Sequence, residues 1–178
     1  MGQGYNFEQL KAEMIARSSE QDWQQAKLEW DLEDVFRASE ERDCLCGHNP
    51  IFQICTLRNQ ITQSTAEVGN VCVERFLGMR SKRIFSAIKR VRDDENRSLN
   101  KEAIEMFRKL RIISHSDATE YLVFYRRRKN VTDDQRELKR QVNAAVLAYV
   151  DRRAHRSVQA FRALGGRPAT KGAPPAAI

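Results

Sequence analysis

The chain opens on a helical period. Phe7, Leu10, Met14 and Ile15 recur at spacings of three and four, which predicts a short helix over 7–16, and the polar stretch "RSSEQD" ends it. The next segment, "WQQAKLEWDLEDVF", fits neither period cleanly. It reads as a helix through about Glu29 and then as extended chain over 30–38. "NPIFQICTLRN" and "TAEVGN" predict two strands with a polar turn between them. Ile51, Cys55 and Leu57 would share one face, Phe52 and Ile54 the other. After Asn70 the period turns helical again, with Val71, Val73, Phe76 and Leu77 as a short stripe.

The remainder predicts a succession of helices. "SKRIFSAIKRVRDD" has Ser81 as its N-cap candidate, with Ile84, Phe85, Ile88 and Val91 on one side. "NKEAIEMFRKLRII" takes Asn100 as cap and Ile104, Phe107 and Leu110 as its inner face. "SDATEYLVFYRRRK" would start at Ser116. In "TDDQRELKRQ", Thr132 and Gln135 have the spacing of a capping box. The last helix would run to Leu164 on the stripe Leu138, Val142, Val146, Val150, Ala154, Val158 and Phe161, until Gly165 and Gly166 stop it. "RPATKGAPPAAI" predicts a disordered tail.

No apolar run reaches the ~18 residues of a spanning helix, so no membrane partner is expected. The N-terminus lacks the apolar core of a signal peptide. "MGQGYN" begins like a myristoylation signal, but Asn6 stands where a Ser or Thr is needed. The expected location is therefore the cytoplasm, where thiols stay reduced.

Charge divides the chain. Residues 1–76 carry 7 Lys/Arg against 13 Asp/Glu, a balance of −6, and residues 77–178 carry 24 against 11, a balance of +13. A strongly basic half is the footprint expected of nucleic-acid binding. One candidate patch is Arg80, Lys82, Arg83, Lys89 and Arg90. A second is Arg126, Arg127, Arg128 and Lys129, with Tyr121 and Tyr125 near enough to stack on bases. DNA and RNA are not distinguished by these features.

All four cysteines lie between 44 and 72. Four thiols in a reducing compartment point to a metal rather than to disulfides. Cys44 and Cys46, followed by Gly47, can occupy a tight turn, and Cys72 falls at the start of a helix whose dipole favours a thiolate. Turn, hairpin and helix in that order predict a structural Zn²⁺ site. The fourth ligand is Cys55 or His48. Cys55 is preferred, because one ion then accounts for every cysteine. The fold class expected is mainly α, with a small zinc-bound, treble-clef-like β-hairpin and C-terminal helices. The expected organisation is an acidic N-terminal segment (1–43), a zinc module (44–78), a basic helical region (79–164) and the tail (165–178).

"CLCGHNPIFQICTLRN" followed by "VGNVCVERFLG" resembles a signature shared by small zinc-binding proteins of bacterial phages, plasmids and other mobile elements. With "AKLEWDL" upstream, the resemblance spans about residues 26–92. It implies zinc on Cys44, Cys46, Cys55 and Cys72, a bacterial host cytoplasm, and no defined activity.

The sequence shows no HExxH, Walker loop, GxSxG or GxGxxG, so an enzyme is not expected. The function expected is a non-enzymatic, zinc-binding accessory protein that meets nucleic acid through its basic half. The alternative is a protein–protein inhibitor of a host enzyme or defence complex, using Trp23, Trp30 and Phe36 among carboxylates as anchors. A homodimer through the apolar stripe of the last helix is a further expectation.

Overall fold

The computed structural model describes residues 2–78 and 80–163. Helix α1 (Gly2–Ile15) and the single turn α2 (Trp23–Ala26), continued by a 3-10 turn, precede three strands: β1 (Trp30–Arg42), β2 (Ile51–Asn59) and β3 (Thr65–Gly69). Five helices follow: α3 (Asn70–Leu77), α4 (Ser81–Asp93), α5 (Lys101–Lys109), α6 (His115–Phe124) and α7 (Asp133–Ala163).

The strands form one antiparallel sheet in the order β1-β2-β3. This corrects the expected fold class. The chain is an α+β structure rather than a mainly α one, and a treble-clef zinc hairpin is not seen among the described residues. The β2–β3 pair is part of a larger sheet, and β1 is the longest strand, at 13 residues. Its sequence, "WDLEDVFRASEER", is so rich in charge that the alternation of a strand is masked. Two irregularities, between Leu32 and Asp34 and between Arg37 and Arg42, also shift the pairing with β2. Finally, the middle of the sheet is buried on both faces, which removes the polar half of the signal there. Val35, Cys55, Leu57, Ala66 and Val68 belong to the main core, while Phe36, Ala38 and Ile54 form a second cluster.

One hydrophobic core runs from Leu10 and Met14 through Leu57 and Val68 to Phe107, Tyr121 and Val146. Each such fully buried side chain contributes about 1.5–3 kcal/mol relative to exposure, as an upper estimate. Val142, Val146 and Val150 of α7 are buried in this core. That part of the stripe is covered by its own chain. The side chains of Val158 and Phe161, the expected stop at Gly165 and Gly166, and the expected disordered tail all lie outside the described residues.

Two polar devices fix the sheet. At its end, the buried Glu29 accepts the N–H groups of Ser19 at 2.9 Å and Glu20 at 2.8 Å, and the Asn59 side-chain amide at 2.6 Å. Burial opposes its ionisation, but these donors outweigh burial and hold the Glu29 carboxyl below the usual range. On the α7 side, the buried Asp34 pairs with Arg153, whose guanidinium lies 5.1 Å from the Phe36 ring centre.

Caps explain most helix starts. Asn100 accepts from Ala103 N at 3.0 Å, and Thr132 and Gln135 exchange their reciprocal bonds at 3.3 Å. Two expected caps are corrected. Ser114, not Ser116, caps α6 by accepting from Asp117 N at 3.0 Å. Ser81 is the first residue inside α4, and its hydroxyl instead donates to Asn70 O at 2.9 Å.

Candidate functional site

Residues 43–50 turn the chain back from β1 to β2. Cys44 N donates to His48 O at 3.0 Å and Gly47 N donates to Cys44 O at 2.8 Å. Gly47 sits at φ +81°, in the left-handed region that glycine tolerates, and a Cβ there would stand 2.7 Å from Gln9 Oε1 of α1. Cys72 comes from the first turn of α3. Its sulfur lies 3.5 Å from Cys44 Sγ, and Gly69 N, at the start of that helix, donates to Cys44 Sγ at 3.3 Å.

The sulfurs of Cys44, Cys46 and Cys72 all lie within 4.8 Å of one another. Thiolates placed tetrahedrally at ~2.3 Å from zinc stand about 3.8 Å apart, so the trio matches the spacing that a metal ion requires. The electrostatics agree. Hydrogen bonding from Cys72 draws the Cys44 thiol down to about 5 against the opposing effect of burial, helped by the N–H groups of Gly69 and Cys46. The Cys72 thiol is raised, because it supplies that hydrogen bond and is half-buried beside a charged sulfur. Burial raises Cys46. One sulfur thus takes the negative charge at its neighbours' expense, and a cation at the centre would relieve the competition. These three cysteines can hold a metal ion.

Cys55 stands apart from this group. It is in the middle of β2, opposite Val35 and Val68, fully buried in the main core. Burial pushes its thiol up to about 12, despite the adjacent Ser81 hydroxyl. The strand period had put Cys55 on the face of Ile51 and Leu57, and that face is where the core lies. His48, by contrast, is exposed and lines the same groove of about 1010 Å³ as the three clustered cysteines, together with Phe7, Arg37 and Arg75.

No protein-family model matches the chain, and neither a curated protein nor a solved structure shows significant similarity to it.

The basic residues fall into two settings. Those on α4 are largely engaged. Lys82 meets Glu74 at 3.7 Å, Arg83 meets Glu102 at 2.6 Å and Lys89 meets Asp93 at 2.7 Å. Arg90 donates to Ser98 O at 2.9 Å, while exposed Arg80 forms no ion pair among the described residues. The run Arg126, Arg127, Arg128 and Lys129 is exposed in a loop rather than on a helix. α6 ends at Phe124, where Tyr125 N bonds Tyr121 O and Arg127 N bonds Phe124 O, and Asn130 then takes φ +55°.

That loop and the α4–α5 connection enclose a cleft of about 750 Å³. Arg90 and the four loop cations line it, joined by Arg97, Arg136 and Lys139, with Asp94 as the one carboxylate among the lining residues. Arg136 and Lys139 share a face of α7 three residues apart, a signal present in the sequence that a search for runs of charge passes over. Burial and the nearby Arg136 lower Lys139.

Tyr121 is corrected. Its ring is fully buried, and its hydroxyl accepts from Leu99 N at 3.0 Å and bonds Asn143 Oδ1 at 3.2 Å. It cannot stack on a base. Half-buried Tyr125 does line the cleft, with the Arg126 guanidinium 5.2 Å from its ring centre. Two of the three aromatic anchors of the inhibitor reading are corrected too. Trp30 and Phe36 are buried, and half-buried Trp23 packs against Phe7 and Phe76 with ring centres at 5.7 and 5.0 Å. Among the described residues no helix is long and apolar enough to cross a membrane.

Proposed function

We propose that this protein is a zinc-binding, non-enzymatic accessory protein that grips the phosphates of nucleic acid in its basic cleft. The observation that carries the reading is the convergence of Arg90, Arg97, Arg126, Arg127, Arg128, Lys129, Arg136 and Lys139 on one concavity with a single opposing carboxylate. Clustered like charges raise one another's energy, and a polyanion entering between them relieves that repulsion. Arg127, Arg128 and Lys129 form no ion pair among the described residues, which leaves them available to phosphates. Zinc suits the three clustered thiols, since a soft, thiolate-rich donor set favours it over hard cations. Its role in this reading is to tie the 43–50 turn to the start of α3. The resemblance of residues 26–92 to zinc-binding proteins of phages and mobile elements accords with this reading and with a bacterial cytoplasm.

The test is a titration of labelled single- and double-stranded oligonucleotides at several salt concentrations, with a variant in which Arg126, Arg127, Arg128 and Lys129 are all alanine. Counterion release predicts affinity that falls steeply with salt and varies little with sequence. The variant should flatten the slope of log K against log salt on duplex by up to about 3.6, if each side chain contacts one phosphate. An unchanged slope, or no binding at low salt, refutes the reading and favours a protein target.

A further inference from the structure

We infer that His48, rather than Cys55, completes the coordination of the metal held by Cys44, Cys46 and Cys72. The inference rests on the metal site proposed above and is independent of the nucleic-acid cleft. A structural zinc site takes four protein ligands, and the clustered cysteines supply three. The fourth must reach the trio from the side that its own elements leave open.

That side is the groove. Cys44, Cys46 and Cys72 all contribute to its wall, so the open side of the sulfur triangle faces it. His48 lines the same groove, and Cys55 does not. Both residues of the turn that carry sulfur are also bonded to His48 itself. Cys44 N donates to His48 O at 3.0 Å, and the His48 N–H bonds the Cys46 thiol. The imidazole is therefore anchored at its backbone to two of the three ligands. Its ring is exposed, so it can change rotamer without displacing a packed neighbour.

Cys55 has none of these properties. It is held in register by Val35 on one side and Val68 on the other, in the central strand of the sheet. Its sulfur lies inside the main core beside Ser81. To reach the trio it would have to leave a close-packed site and drag the central strand with it. An exposed imidazole needs no such rearrangement, and a Cys₃His set is an ordinary structural zinc environment.

Cobalt(II) in place of zinc gives the readout, because its visible spectrum reports ligand type and coordination number. The full chain is reconstituted with cobalt, then compared with His48→Ala, His48→Cys and Cys55→Ser. His48→Ala should shift the visible bands and weaken metal binding by more than the roughly 10–100-fold that follows loss of a mere supporting partner. His48→Cys should restore tight binding with stronger sulfur-to-cobalt charge transfer. Cys55→Ser should leave the spectrum as in the parent chain. If Cys55→Ser instead removes charge-transfer intensity, or if neither position changes the spectrum, the assignment to His48 is overturned. A parent chain that binds no cobalt at all overturns the metal reading beneath it, a distinguishable failure.

Discussion

The thiol turn and the basic cleft are built in opposite ways. At the turn, the Cys44 and Cys46 sulfurs are buried and accept backbone N–H groups, and a glycine at φ +81° sets the bend, so these sulfurs are fixed by short-range contacts. At the cleft, long exposed cations extend from two connections and the first turns of α7, and Arg127, Arg128 and Lys129 have no ion pair among the described residues. A site of the first kind acts through geometry and is felt as stability. A site of the second kind acts through its field and is felt as salt dependence. Perturbations of the two should therefore separate cleanly.

The largest effect should come from Cys72→Ser or from a strong chelator. Either should release the metal and lower the thermal midpoint, because binding energy at a structural metal site is folding energy. Calorimetry with and without chelator checks this, and a midpoint indifferent to both would erase the contrast. Next comes Arg153→Ala at the junction of the two halves. It leaves Asp34 buried without its guanidinium, and truncation of one partner of a buried pair costs about 3–5 kcal/mol, at the low end here because Arg153 is half-buried. Denaturant unfolding reads it, and metal content should stay unchanged.

Tyr121→Phe is smaller. It deprives Leu99 N and Asn143 of a buried partner and should cost about 1–3 kcal/mol. The same variant sharpens the comparison, since binding to oligonucleotides should weaken only modestly while the metal spectrum does not move. The smallest effect is a pH dependence. The folded carboxyl of Glu29 titrates below its unfolded value of about 4.3. Its contribution is complete above that unfolded value and disappears as pH falls through the folded one. Glu29→Gln should therefore flatten the acid limb of the stability curve below about pH 4.3, with little change in shape near neutrality.

Much of the helical half was legible in the sequence. Asn100, Thr132 and Gln135 are local signals, and they cap the helices they were expected to cap. Val142, Val146 and Val150 keep a clean helical period because one side of α7 faces the core. The sheet was harder to read. β1 spreads its charges along its whole length, Asp34 and Glu40 even at buried positions, and two irregularities interrupt its pairing, so apolar and polar residues do not track its two faces. At the thiol cluster, Cys44, Cys46 and Cys72 follow from spacing and from the helix start. The place of Cys55 does not, since a cysteine is equally at home as a ligand or as a small core side chain. The cleft brings together residues from two connections and the first turns of α7, far apart in sequence. The run at 126–129, Tyr125 and Arg90 announced themselves, while Arg97, Arg136 and Lys139 join them through the packing of α4, α6 and α7.

The hydroxyl of Tyr121 does more than fill its own hydrogen-bonding needs. It and Asn143, whose amide donates to Glu95 O at 2.7 Å and Arg97 O at 2.9 Å, stitch the 94–100 connection to the core. That connection is one wall of the cleft, and the 126–130 loop is the other. The two walls differ in how they are held: side-chain bonds tie the first to the core, and the second carries Arg127, Arg128 and Lys129, which form no ion pair among the described residues. In the proposed reading, the entropic cost of capturing a polyanion would fall mainly on the long side chains of that loop, because the opposite wall is already held by its bonds to the core.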